Sequence, residues 1–471
     1  MDRRSITELL RRLDPAPGPT PDYGVAFVFC FSGLLLFTAW LLIVHRYLPG
    51  TDTPYHAFCS RVWIDAGKEH LLEANTLLYD AVALLAIVLK PFTAYRIASA
   101  WYFIGFPLAC LYALRAFGRS PWGSLLAFPL CYNEAFASGH MSFEFAAPTF
   151  VLAVVEYWRF TKHPTVRRGA FVAALFVLVF LSHAHVYLWL GAIALLVLLG
   201  KILSWRAVVG TAVIGLPSFL VFRMGRGYGQ EHAVKLTGGI LETFSASLHP
   251  WETRAIIALG VLVVLAMGLQ RAQNDRTTAI PEIAIIATAL SYYVLPESLG
   301  GQMVAPRQWY MVAWFMPIVV SPVTFRIAPG RAVAILAGIL AWTATRMWMV
   351  NGQLEKFTTT EMYGLDHLAR TAPNEPGLKI AYAGVDSNSE TWKMSHGLAY
   401  AFVAAERSYE GPLDPLEHIY FAASWYEDPE LWRYDLILVR RWKPTHEQKN
   451  AALAKGSLVA AGGDWELWRR K

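Results

Sequence analysis

The sequence predicts a mainly α protein: a polytopic helical membrane bundle of about 11–13 spans, followed by a small C-terminal α/β domain outside the cytoplasm. Three observations carry this. Of the 471 residues, 55% are hydrophobic and only 16% are charged; the first fraction lies above the globular norm and the second below it. The apolar residues fall in long blocks separated by short basic clusters, the pattern of topology signals. From about Asn351 the composition changes to that of a water-facing chain.

The charge balance excludes little by itself. The net charge is +6, but the basic residues sit between apolar blocks, so nucleic acid is not an expected partner and membrane lipid is. The four cysteines, Cys30, Cys59, Cys110 and Cys131, show no metal-site spacing, so neither a disulfide framework nor a cysteine zinc site is expected.

Residues 1–23 form a polar, basic, Pro-rich segment. The apolar run from Gly24 to about Leu48 is far longer than a cleavable signal core and reads as a signal anchor. Arg3, Arg4, Arg11 and Arg12 place the N-terminus in the cytoplasm by the positive-inside rule. The first loop, 49–75, then lies on the far side. Within it, Thr51 to Asn75 carries Tyr55, Phe58, Val62, Trp63, Leu71 and Leu72 at helical spacing, which predicts an amphipathic helix in the interface.

The segment 76–92 is apolar but about 17 residues long, at the lower limit for spanning. Further apolar runs follow at about 94–115, 121–138, 143–160, 169–184, 186–204, 206–223, 253–270, 279–295, 308–326 and 331–350. The pairs Arg115/Arg119, Lys201/Arg206, Arg271/Arg276 and Arg326/Arg331, with Lys162/Arg167/Arg168, fall on alternate connections, and all can be cytoplasmic at once. Counting 76–92 as a full span breaks that alternation, so it is expected to be interfacial or re-entrant, or to cross together with a second short piece. The membrane domain is thus 24–350.

Residues 351–471 form the C-terminal domain. A polar helix is expected at 356–371 and another at 394–406. Leu378 to Val385 and Leu436 to Val439 read as buried strands, and Leu458 to Trp468 as a hairpin around Gly462-Gly463-Asp464. Gly384-Val385-Asp386 lacks the spacing of a dinucleotide fingerprint, and no internal repeat is seen.

Candidate chemistry gathers on the far side. Ionisable groups near membrane depth are costly and are functional candidates by default. The first loop offers Asp52, His56 and Arg61; the next is flanked by Glu134, His140 and Glu144; His183 and His185 lie at the following one; Glu297, Gln302 and Arg307 occupy 296–307. Asp52 is either a general base for an acceptor hydroxyl or the cap of a helix started by Thr53-Pro54, and the two roles are compatible. His56, four residues on, shares its helix face and is either its catalytic partner or an interfacial histidine. His183 and His185 are two apart, a poor bidentate metal pair; either contacts a phosphate, headgroup or metal, or sits at the interface. Arg307 runs against the positive-inside bias. A fixed guanidinium there suits a lipid-linked phosphate, with Gln302 and Glu297 beside it; the alternative is a snorkelling arginine. Glu144 is a metal ligand, a second acid or an internally hydrogen-bonded carboxylate. A divalent ion, Mg or Mn, between Asp52 and Glu144 is a candidate cofactor that the spacing does not itself support.

In layout over most of 24–350, the chain resembles the bacterial GT-C superfamily of integral-membrane glycosyltransferases and the membrane proteins related to it. Asp52-Thr53-Pro54-Tyr55-His56 is similar to the acidic first-loop motif of those proteins. Tyr132-Asn133-Glu134 through Gly139-His140-Met141-Ser142-Phe143-Glu144 resembles their loop between early spans. The late loop ending in Arg307 and the trailing α/β domain match their plan. Here the first loop has no paired acidic residues. The resemblance implies a polyprenyl-phosphate-linked sugar as donor, an inverting transfer to a glycan, lipid or protein acceptor, Asp52 as base and Arg307 on the donor phosphate. It also implies a bacterial inner-membrane protein with a periplasmic C-terminal domain. A non-catalytic alternative, a transporter or flippase or an assembly partner for envelope polysaccharide, would show polar residues at mid-span and two-fold hydropathy symmetry; the polar residues cluster at one face instead.

Overall fold

The first helix shows how the bundle is made. In α1 (Gly24–Val44) the residues Phe27, Phe31, Leu34, Thr38 and Leu41 recur at helical spacing and are buried, while Val25, Phe29, Leu36 and Ile43 point outward, each about 70% exposed or more. A helix that is apolar on its outward face as well as its packed face suits a lipid surround. The computed structural model describes residues 24–45, 47–49, 53, 56, 74–137, 139–200, 209–217, 280–291, 298–299, 302–303, 305–319, 329–361, 364, 367–368, 371, 380–383, 436–440, 456–462 and 465–470. The expected helix at 394–406, the run 253–270 and most of the first loop lie outside them.

After α1 come α2 (Leu77–Ala86) and α3 (Pro91–Ala116), then α4 (Ala147–Lys162), α5 (Val166–Ser182) and α6 (Ala184–Gly200). Further along are α7 (Ile280–Ser291), α8 (Ala305–Val319) and α9 (Pro329–Lys356). Among the described residues, two helices are long and apolar enough alone to cross a membrane, Gly24–Val44 and Phe92–Ala116; Leu77–Ala86, Ala184–Leu198, Ile280–Ala289 and Tyr310–Val319 are apolar but shorter.

The ends of these helices meet in two groups, and the groups agree with the alternation read from the basic clusters. At one end of the bundle, Arg119 donates to the carbonyl of Ile318 at 2.7 Å and pairs with Glu282 at 2.8 Å. This joins the exit of α3, the start of α7 and the finish of α8. At the other end, Arg96 in the first turns of α3 donates to the carbonyls of Leu42, Ile43 and His45, satisfying groups that a helix C-terminus leaves open. His45 also bonds Asn351 at 3.0 Å, so α1 and α9 finish side by side.

The segment 76–92 contains α2, whose 10 residues reach about 15 Å, half of what a crossing needs. Both its ends lie at the same end of the bundle. Just before it, the Asn75 side chain accepts from the backbone N–H of Ala184; just after it, Phe92 packs edge-on against Tyr47. Asn75 holds φ at 69°, a conformation that asparagine tolerates better than most residues. The segment 76–92 therefore returns to the end of the bundle it starts from, as the interfacial and re-entrant readings both require.

The run 121–138 is a correction. It is not one helix but a 3₁₀ turn (Pro121–Leu126) and two four-residue helical pieces, Ala127–Leu130 and Glu134–Ala137. Pro121 and Pro129 lack the N–H an α ladder needs, and the segment is wrapped by α1, α3, α8 and α9. Irregular backbone is tolerated at depth where protein rather than lipid surrounds it. Its side chains seed the core: Phe27 meets Trp122, Phe31 meets Phe128, and Tyr132 stacks on Phe103.

In the C-terminal region, β3 (Ile380–Ala383), β4 (Leu436–Arg440), β5 (Gly456–Gly462) and β6 (Trp465–Arg470) form a sheet in the order β3-β4-β6-β5. β3 pairs parallel with β4, and the other pairs are antiparallel. The expected strands are present, and the β5–β6 hairpin closes Gly462 onto Trp465 across Gly463-Asp464, as read. The expected polar helix 356–371 instead passes from α9 into a π-helical turn, Phe357–Glu361, and the chain then reaches Gly364 at a φ of 85°. A Cβ at Gly364 would run into the backbone of Gly462, so this glycine is what lets the hairpin lie against the turn. Gly364→Ala is expected to cost about 2–3 kcal/mol through strain and clash. Faster proteolytic release of the C-terminal region at unchanged bundle helicity would register it; unchanged protection would refute it.

Candidate functional site

The turn between the broken segment and α4 is built around a buried carboxylate. Asn133 accepts from the backbone N–H of Phe136 through its side-chain oxygen at 3.0 Å, which fixes its amide the other way round toward Glu144. Its Nδ2 donates to Glu144 Oε1 at 2.8 Å, and Trp314 of α8 donates to Oε2 at 3.0 Å. Glu144 is fully buried. Of the three roles open to it in the sequence, the geometry is that of an internally hydrogen-bonded carboxylate, with an N–H on each oxygen. No group of three or more His, Cys, Asp or Glu side chains among the described residues is arranged to hold a metal ion, and the donors around Glu144 suit an anion rather than a cation.

One residue earlier, Phe143 is the centre of a second cluster. Its ring stacks on Trp314 at 4.7 Å and meets His183 edge-on at 5.2 Å; Tyr310 lies at 6.1 Å and His185 at 6.5 Å. The Arg307 guanidinium carbon lies over the same ring, 5.7 Å from its centroid. His140 approaches Tyr310 at 6.4 Å. The Gln308 amide donates to His185 Nε2 at 2.8 Å. The first turn of α8 thus delivers Arg307 toward Phe143 and Gln308 toward the α5–α6 junction. His183 lies in the one-residue break between α5 and α6. Burial, reinforced by the Arg307 charge, pushes its pKa well below the ordinary value and keeps the imidazole neutral. Its Nδ1 is buried with no hydrogen-bond partner among the described residues.

The first loop comes to this cluster through His56. Its Nε2 lies 3.0 Å from the carbonyl of Gly139 and its Nδ1 2.7 Å from the Tyr79 hydroxyl. The tautomer that satisfies both has the proton on Nε2 and accepts the Tyr79 O–H on Nδ1. The ring also stacks on Tyr95. Gly139 sits at a φ of 84°, which turns its carbonyl out at the head of the 139–144 turn. Thr53, which follows Asp52 in sequence, is buried and donates to the Pro49 carbonyl at 3.0 Å.

The structure therefore brings His56, His140, Glu144, His183, His185 and Arg307 to one end of the bundle. Asp52, Arg61 and Glu297 lie outside the described residues, as do the side chains of Glu134 and Gln302. Gln302 belongs to β2 (Gln302–Met303), which pairs antiparallel with β1 (Ser298–Leu299) ahead of α8. Among the partners that escaped the sequence reading are Tyr79, Asn133, Phe143, Gln308 and Trp314. Asn133 and Phe143 stand inside the quoted motif, and Gln308 shares a helical turn with Arg307; Tyr79 and Trp314 carry no local signal.

No protein-family model matches the sequence, and no curated protein matches it. Among solved structures, the chain is similar to ArnT from Cupriavidus metallidurans bound to undecaprenyl phosphate, with a TM-score of 0.60 at 14% identity over 95% of this chain and 98% of that one. The apo form of the same protein matches with a TM-score of 0.59 at the same identity and coverage. The chain has the fold of ArnT, a GT-C glycosyltransferase, and the resemblance drawn from the sequence holds at the level of the fold.

Proposed function

We propose that the protein is an integral-membrane glycosyltransferase that takes a sugar from a polyprenyl-phosphate-linked donor and passes it to an acceptor hydroxyl at the extracytoplasmic face. The observation that carries the reading is the convergence of Arg307, His183 and the Gln308–His185 pair around Phe143, at the end of the bundle where the first loop docks. The fold it occurs in is shared with a protein whose structure contains undecaprenyl phosphate.

In this reading the acceptor oxygen attacks the anomeric carbon as the bond from that carbon to the phosphate oxygen breaks. Asp52 takes the hydroxyl proton, and the configuration inverts. The leaving polyprenyl phosphate carries the electron pair and is stabilised by Arg307 and a hydrogen bond from the buried His183, whose Nδ1 has no hydrogen-bond partner among the described residues. His56, with both ring nitrogens occupied, positions the first loop instead of moving protons. The C-terminal region, 351–471, covers the site or binds the acceptor. The N-terminus is cytoplasmic and the C-terminal domain periplasmic, in a bacterial inner membrane.

The test is purified full-length protein in nanodiscs, given undecaprenyl-phosphate sugars labelled in the sugar. Release of undecaprenyl phosphate coupled to label transfer supports the proposal. Failure to bind undecaprenyl phosphate, or binding without any bond cleavage across the common donor sugars and an envelope extract as acceptor, overturns it. Transbilayer movement of an intact lipid-linked sugar in proteoliposomes would favour the transporter reading in its place.

A further inference from the structure

Arg307 is the fixed cation of the site, and an arginine on a long stem must be ordered before it can bind anything. The side chain carries substantial rotamer entropy, which binding would otherwise have to offset. The structure orders it in advance. Arg307 and Trp314 are seven residues apart on α8, two turns along one helix face. Phe143, fully buried on the 141–144 turn, lies against both, with the guanidinium over its ring and the indole stacked on it. The indole is held by its bond to Glu144, Glu144 by Asn133, and Asn133 by the backbone of Phe136. Every link in this chain has a distance and a partner, and none is a solvent contact.

We infer that Phe143 is a positioning residue for an anion site at Arg307, with Trp314 and Glu144 holding the ring in place. An aromatic face against a guanidinium occupies the flat side of the cation. A lysine ammonium has neither the plane to stack nor the fork to present. The identity of the anion, a lipid-linked phosphate, rests on the proposed function; the role of Phe143 rests on the geometry.

The experiment uses full-length protein in nanodiscs and undecaprenyl phosphate as the probe. Phe143→Leu is expected to weaken binding about tenfold, as loss of a desolvated cation–π contact would, while Phe143→Tyr, which keeps the ring, binds within a few-fold of wild type. Arg307→Lys is expected to fall at least as far as Phe143→Leu. Phe143→Met, unbranched and flexible enough to fill the space of the ring, carries the comparison if the leucine variant does not fold. A cryo-EM map of the ligand-free Phe143→Leu or Phe143→Met protein is expected to show the Arg307 guanidinium displaced. An unmoved guanidinium, or wild-type affinity in folded variants lacking the ring, overturns the inference. Wild-type protein that does not bind the probe defeats the proposed function instead, and the map alone then decides whether Phe143 positions Arg307.

Discussion

Replacing Arg119 with methionine is expected to cost about 3–5 kcal/mol of folding stability, the range for removing one partner of a buried ion pair. The side chains of Arg119 and Glu282 are 2% and 0% exposed, so neither charge has water to fall back on. The arginine does two jobs. It neutralises Glu282 in the first turn of α7 and donates to Ile318 in the last turn of α8, where the helix leaves its carbonyls open and a cation is favoured. Glu282→Met is expected to cost nearly as much, because it strands the guanidinium. The double variant Arg119→Met/Glu282→Met should be less destabilised than either single change, since a buried pair exchanged for apolar side chains is close to neutral. Denaturant unfolding of the four proteins in one detergent measures the cycle. Additive single effects would show that the pair is not coupled.

Arg119 also shows where reading the sequence ends. Its position among alternating basic clusters grouped it with the start of α7 and the finish of α8, because that pattern depends only on spacing along the chain. Its partner stands 163 residues away, and nothing local in either segment announces the other. Glu144 is similar. The sequence marked it as costly and left three roles open; the donors that decide its surroundings come from Asn133, eleven residues back, and Trp314, on a helix 170 residues on. The β5–β6 hairpin was legible in place because two-residue turn chemistry is local. The run 121–138 was not legible as broken. Apolar composition is the same whether a buried segment is one helix or three pieces, and only its prolines hinted at the difference. That 76–92 is not a full span was legible from the alternation of the basic clusters, its length of about 17 residues being only at the lower limit for crossing.

In the proposed reaction, Asp52→Asn is expected to lower the rate of sugar transfer about 10²–10⁴-fold, the usual contribution of a general base, with donor binding within a few-fold of wild type. Asparagine keeps the shape and the capping oxygen of aspartate, so a helix-cap role alone would predict little loss. The change therefore separates the two roles that the sequence left open. His56→Ala gives the contrast. His56 joins the first loop to the 139–144 turn through Gly139 and to α2 through Tyr79, so losing it should misplace the loop without removing a reacting group. A displacement of about 1 Å can cost on the order of 10²-fold, and His56→Gln, which can still donate to Gly139, should recover part of that loss. Single-turnover transfer from a lipid-linked sugar, with thermal unfolding as the control, measures both. A folded Asp52→Asn protein that transfers at the wild-type rate removes Asp52 from the mechanism. A His56→Gln protein no better than His56→Ala would mean that the ring's stacking on Tyr95, not its bond to Gly139, holds the loop against the site.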